Sequence, residues 1–99
     1  MFGSMYPSFE GKPVIPDYKR NVLAELEEER MDLDDVVEIL ETGFDCSTSK
    51  REHGILERCI QKKNRIIKVV IEEGDEYWGL RHVGSFKLSK KKIRRRMKI

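Results

Sequence analysis

The chain has 99 residues, of which 20 are Lys or Arg, 18 are Asp or Glu and 2 are His, giving a formal net charge of +2. This length allows one domain and not two. Apolar and charged residues each make up 38% of the sequence, and the high charged fraction suits a thermophile. No apolar run exceeds three residues, so a membrane span is excluded. Because the sequence also has no secretory signal, we expect a cytoplasmic protein.

Charge is divided unevenly along the chain. Residues 1–86 carry 12 basic and 18 acidic side chains, whereas residues 87–99 carry eight basic side chains and no acid. A block of like charge this dense repels itself and stays solvated unless an anionic partner is near. The candidate partners are nucleic acid, an acidic protein segment and the chain's own acidic helices.

The first elements are predicted from breakers and caps. Glycine and proline interrupt residues 1–13, which we expect to form an irregular arm, and residues 14–16 form at most a short edge strand because Pro16 lacks an amide donor. A first helix is predicted from about Tyr18 to Arg30, with Asp17 as its N-cap. Its predicted buried face contains Val22, Leu23 and Leu26.

The second helix has the clearest local signals. It is predicted over Leu33 to Thr42, with Asp32 as the N-cap and Gly43 as a left-handed C-terminal cap. The apolar residues follow the i, i+3, i+4, i+7 spacing of a buried helical stripe. That stripe consists of Leu33, Val36, Val37 and Leu40.

After Gly54 the apolar period changes from 3.6 to 2, which is typical of strands. Three strands are predicted over residues 55–61, 66–72 and 77–83, and the segment after Gly84 could add a fourth. The predicted fold class is therefore α+β, with two N-terminal helices followed by a three- to four-stranded antiparallel meander. Residues 14–88 would form the single domain, and residues 89–99 a basic C-terminal tail.

Two cysteines are too few for a disulfide framework, so Cys46 and Cys59 are expected to be free thiols in a reducing compartment. The alternative is a Cys46–Cys59 bridge, as thermophile proteins sometimes retain. With His53 and His82 these cysteines are four potential zinc ligands, but they lack the tightly spaced pairs of zinc sites. We expect no metal and no cofactor.

The basic residues are the strongest functional signal, because Lys and Arg neutralise phosphates and Arg makes bidentate contacts. Strand cations interleaved with Tyr77 and Trp78 could bind phosphate and stack a base. The alternative interpretation is a solvated sheet face around a core tryptophan. The predicted nucleic-acid-binding residues are Lys62, Lys63, Arg65, Lys90, Lys91, Lys92, Arg94, Arg95 and Arg96.

The order of these elements, and the residues within them, resemble a known family. The matching segments are residues 17–21, 33–40, 57–58, 67–71, 80–81 and 90–96. They resemble the RelE-like superfamily of small toxins, and within it the BrnT group and related small domains of unknown function.

The resemblance implies a metal-independent endoribonuclease that acts with or without the ribosome and is held silent by an antitoxin. It implies Arg58, Lys68 and Arg81 as phosphate ligands, and His82 or Tyr77 as the proton-transfer group. Strand alternation places Arg81 and His82 on opposite sides of the third strand, unless a bulge intervenes.

Two other functions remain open at this stage. The protein could be a non-catalytic module that uses its basic tail on nucleic acid. It could also be a protein-interaction domain or homodimer, in which the acidic helices of one copy hold the basic tail of another.

Overall fold

The computed structural model describes residues 5–46 and 54–87 of the chain. Within these ranges six strands form one sheet in the order β1-β2-β6-β5-β4-β3, and β2 runs parallel to β6 while the other neighbours are antiparallel. No helix in this part of the chain is long and apolar enough to cross a membrane. The elements are β1 (Ser8–Phe9), β2 (Lys12–Pro16), α1 (Val22–Glu28), α2 (Leu33–Thr42), β3 (Phe44–Asp45), β4 (Ile55–Lys62), β5 (Arg65–Glu73) and β6 (Trp78–Lys87).

The predicted fold class, two N-terminal helices followed by an antiparallel meander, is wrong. A β-hairpin precedes the helices, and its second strand makes the sheet mixed and six-stranded. The breakers that predicted an irregular arm instead build a tight turn, in which Glu10 (φ 49°) and Gly11 (φ 83°) adopt left-handed conformations. β2 is an interior strand rather than an edge, because β1 and β6 flank it.

The N-terminal hairpin is fixed by a distant tryptophan. Trp78 is 6% exposed, its ring centroid lies 5.7 Å from that of Phe9, and its Nε1–H donates to the Phe9 carbonyl at 2.9 Å. Lys12 Nζ lies 5.6 Å from the Trp78 ring centroid and bonds Glu73 at 2.9 Å. These contacts cross about two thirds of the chain, so no local sequence pattern reveals them.

The predicted bounds of α2 and its Asp32 cap are confirmed, but the left-handed cap predicted at Gly43 is wrong. Asp32 accepts from the Asp35 amide while the Asp35 side chain accepts from the Asp32 amide, which is a complete capping box. The end differs in mechanism, since Gly43 is extended (φ −77°) rather than left-handed. Glycine is needed there for space, because a Cβ would lie 2.5 Å from the Ile39 carbonyl oxygen and 2.6 Å from that of Cys59.

α1 is shorter than predicted because its proposed cap forms a turn. Asp17 Oδ1 accepts from the Lys19 amide and the Asp17 carbonyl accepts from the Arg20 amide, so the helix begins only after Asn21. Of its predicted buried face, Val22 and Leu26 are buried, but Leu23 is 49% exposed.

The antiparallel arrangement of β4, β5 and β6 is confirmed, with β5 in the interior of the sheet. Both helices pack against the same core, which includes Val36, Leu40, Val69 and Leu80. That core explains the period-2 pattern of β5, whose alternate residues Ile67, Val69 and Ile71 are all buried.

The expectation of free thiols is wrong, because Cys46 and Cys59 form a disulfide. Phe44 pairs with Cys59 across β3 and β4, so Cys46 follows two residues later on the same face. The two Cα atoms lie 5.7 Å apart, within the range that a disulfide spans. The bridge attaches the edge strand β3 to the sheet. A separation of 13 residues in sequence does not reveal this register.

Candidate nucleic-acid interface

The phosphate ligands implied by the family resemblance do not share one face of the sheet. Arg58 pairs across the strands with Val69, which is fully buried under the helices. Lys68 pairs with Cys59, which lies on the opposite face. Because the side chains of directly paired residues point to the same side, Arg58 and Lys68 cannot line a common site on the sheet.

A bulge in β6 brings Arg81 and His82 to the same side. Leu80 pairs with Ile71 and His82 pairs with Val70, which leaves Arg81 without a cross-strand partner. Arg81 then reaches Glu72, and the His82 ring lies over Gly84, where an added Cβ would be 2.9 Å from Nε2. Gly84 pairs with Lys68, so Lys68 and Arg81 share the face opposite the helices, whereas the His82 ring reaches Glu25 of α1 at 3.0 Å.

Each of the four cationic or imidazole groups proposed for catalysis has an acidic partner. The side chains of Arg81 and Lys68 are only 27% and 35% exposed, so they are partly buried. A carboxylate also neutralises the charge of each. A phosphate would have to displace a carboxylate at each position. The pairs are Arg58–Asp45 at 3.3 Å, Lys68–Glu57 at 3.5 Å, Arg81–Glu72 at 3.3 Å and His82–Glu25 at 3.0 Å.

Tyr77 lies apart from these residues, in the turn before β6, and is 47% exposed. It lines a shallow groove of about 570 Å³ together with Tyr18 and Glu73. Tyr18 hydrogen bonds to the Tyr6 hydroxyl at 3.1 Å, and this bond raises the pKa of Tyr18 above its ordinary value. A second contribution of the same sign comes from the charge interaction with Tyr6.

The predicted nucleic-acid-binding residues of the strands do come together, at the end of the sheet where the β4–β5 hairpin turns. Lys62 pairs with Arg65, and Arg65 pairs with Lys87, so three cations lie side by side across three strands. Lys63 occupies the turn itself with a left-handed backbone (φ 55°). We call these four residues the basic end.

The remaining predicted nucleic-acid ligands follow the basic end in sequence but lie outside the described residues. They are Lys90, Lys91, Lys92, Arg94, Arg95 and Arg96, and His53 lies outside as well. Residues 88–99 carry seven basic side chains and no acid. The described residues carry 17 acidic and 11 basic side chains, so the two parts have opposite net charges.

Two carboxylates on α1 have a role that sequence reasoning missed. Beyond Leu80 no strand of the described part of the chain pairs with the outer edge of β6, and Glu25 accepts there from the Val83 amide at 3.0 Å. One helical turn later, Glu29 accepts from the Ser85 hydroxyl at 2.9 Å and from Arg65 at 3.1 Å. The signal was their i, i+4 spacing, which places both on one face of α1.

No family model, curated protein or solved structure matches this chain.

Proposed function

We propose that this protein binds RNA through the phosphate backbone, using the basic end and the basic segment that follows it. The observation that carries the proposal is the alignment of Lys62, Arg65 and Lys87 across three strands, next to the point in sequence where residues 88–99 begin. Cations that lie side by side can neutralise neighbouring phosphates, and their binding releases counterions.

The basic end is available for such binding. Lys62, Lys63 and Lys87 are exposed, and their side chains make no ion pair with any other described residue. Arg65 is held by Glu29 and Ser85, which fixes its position between the two lysines. Adding residues 88–99 gives eleven basic side chains that are contiguous along one end of the molecule and the following segment.

Binding without cleavage is favoured over catalysis by the placement of the proposed catalytic groups. Arg58 and Lys68 lie on opposite faces, and each is paired with a carboxylate. None of the four residues of the basic end is a histidine, and the carboxylate that lies against them, Glu29, is occupied by Arg65 and the Ser85 hydroxyl rather than open to a ribose hydroxyl.

The test is the salt dependence of binding to a fluorescently labelled single-stranded RNA, followed by fluorescence anisotropy. For the double variant Lys62→Gln/Lys63→Gln, the slope of log affinity against log salt should fall by about 1.4, or about 0.7 for each lost phosphate contact. The matched control is Lys19→Gln/Arg20→Gln, which removes the same charge far from the basic end and should leave the slope nearly unchanged. Equal losses in both variants, or no binding at low salt, would refute the proposal.

RNA cleavage is a second candidate, and the bulge in β6 is the observation that favours it. The bulge lets Arg81 and His82 extend from the same stretch of β6, which supports a site that combines a cation with an imidazole. Gel electrophoresis of the same RNA after incubation with the protein detects cleavage directly. Cleavage that disappears in His82→Gln, while binding persists, would establish catalysis, and intact RNA with the unchanged protein would exclude it for this substrate.

A further inference from the structure

A cleft of about 570 Å³ lies between the N-terminal segment, α1 and the start of α2, on the side of α1 away from β6. Its floor is apolar and includes Leu23, which is 49% exposed, whereas Met5 is 92% exposed and stands at the mouth of the cleft. Its rim is acidic. The lining residues are Met5, Pro7, Leu23, Leu26, Glu27, Met31, Asp32, Leu33 and Asp34, and none of them is basic. We call this the acidic cleft.

The carboxylates on the rim differ in whether they make contacts within the fold. Asp32 caps α2 through its capping box with Asp35. Glu27 and Asp34 are exposed and make no ion pair or side-chain hydrogen bond with any other described residue. An exposed apolar floor flanked by two free carboxylates suits a segment that is both basic and apolar.

We propose that the segment 88–99 of the same chain docks in the acidic cleft. This segment has the matching chemistry, because its seven basic side chains are interrupted by Ile93 and Met97 at i, i+4 spacing. A second cleft of about 360 Å³ lies closer to the basic end but is a poorer match. Its three cations, Arg30, Lys62 and Arg65, are balanced by the carboxylates of Glu29, Asp35 and Glu38, so it offers a basic segment no net negative charge.

The segment starts close enough to reach the acidic cleft within one molecule. It follows Lys87, whose cross-strand partner Arg65 bonds Glu29 at the end of α1. The chain reverses just there, since the Met31 amide donates to the Leu26 carbonyl, and both residues line the cleft. Passing around α1 requires roughly 16–19 Å, half the circumference of a helix, whereas twelve extended residues span about 40 Å. Attachment to the same chain also gives the segment an effective concentration in the millimolar range.

Docking of this kind would make the cleft and RNA competitors for the same cations. RNA would have to displace the segment from the carboxylates of Glu27 and Asp34 before the segment could neutralise phosphates. The competition rests on the proposed RNA binding, but the docking itself does not.

Limited trypsin digestion of the full-length protein, without RNA, tests the docking. Mass spectrometry measures the rate of cleavage after the Lys and Arg residues of 90–98. At low salt the double variant Glu27→Gln/Asp34→Asn should be cleaved there roughly three- to tenfold faster than the unchanged protein. Leu23→Ser, which makes the floor polar at a half-exposed position, should accelerate cleavage in the same way.

The matched control is Asp75→Asn/Glu76→Gln, which removes the same charge from the exposed β5–β6 turn and should leave the rate unchanged. Equal rates in the cleft and control variants would overturn the proposal. Protection that weakens on tenfold dilution would also overturn it, because a second copy would then be the occupant. Since RNA is absent, failure of RNA binding leaves this result intact, and failure of protection leaves RNA binding intact.

Discussion

The sheet has two edge strands of two residues each, and they are attached by different chemistry. At one edge, β1 is held by the Trp78 ring and by the hydrogen bond from its indole to Phe9. At the other, β3 is held by the covalent bridge between Cys46 and Cys59. Two backbone pairings alone are too few to fix a strand, so each edge depends on one side-chain anchor.

The difference shows how a small sheet limits its exposed edges. Very short edge strands offer little template for pairing with another chain. The cost of shortness is weak attachment, which burial of a large aromatic group offsets at β1 and cross-linking offsets at β3. The anchor of β1 lies in the core and responds to packing, whereas the anchor of β3 responds to redox conditions.

The largest expected effect is at the β1 edge. Trp78→Ala removes a nearly fully buried ring and should lower the free energy of unfolding by about 3–5 kcal/mol, measured by urea denaturation followed by circular dichroism. Trp78→Phe keeps an aromatic ring and loses the bond to Phe9, so it should cost much less. If both variants were equally destabilised, the hydrogen bond and not the packing would be the anchor.

A smaller effect is expected at the β3 edge. Replacing both Cys46 and Cys59 with Ala should lower the free energy of unfolding by about 3 kcal/mol, because the bridge closes a short loop. Adding a reductant should bring the unchanged protein close to the stability of the variant and leave the variant itself unaffected. Two reactive thiols in the denatured, unreduced protein would contradict the bridge.

The smallest effect concerns the hydroxyl pair beside the β1 hairpin. Because the hydrogen bond with Tyr6 raises the pKa of Tyr18, deprotonation of Tyr18 should shift to lower pH in Tyr6→Phe. Ultraviolet absorbance during an alkaline titration measures this shift. An unchanged titration curve in the variant would show that the hydrogen bond does not form in solution.

The two helices show how much of this fold the sequence could predict. α2 has a cap, an apolar stripe and a terminal glycine within twelve residues, so its bounds were predicted correctly. The extended conformation of Gly43 was not predicted, because it depends in part on the carbonyl of the distant Cys59. The start of α1 was wrong because Asp17 has two local choices, a helix cap and a turn, and it takes the turn. The N-terminal hairpin was missed because its anchor, Trp78, is distant in sequence.

The candidate site was predictable only where its residues are neighbours in sequence. The basic end could be found, because Lys62, Lys63 and Arg65 are neighbours in a turn that the sequence marks clearly. The bulge at Arg81 could not be found in this way, because it arises from the register between β5 and β6 and not from the sequence of either strand alone. The acidic cleft was also hidden, since it needs the spatial meeting of α1, α2 and Met5.

The parallel pairing of β2 with β6 has a consequence for how the protein is made. Residues 14–16 find their sheet partners only at residues 78–80. During translation the N-terminal hairpin can therefore pair with β6 only after nearly the whole domain has emerged from the ribosome. Completion of the sheet is then a late event that closes a long loop, which slows folding relative to a helical protein of the same size.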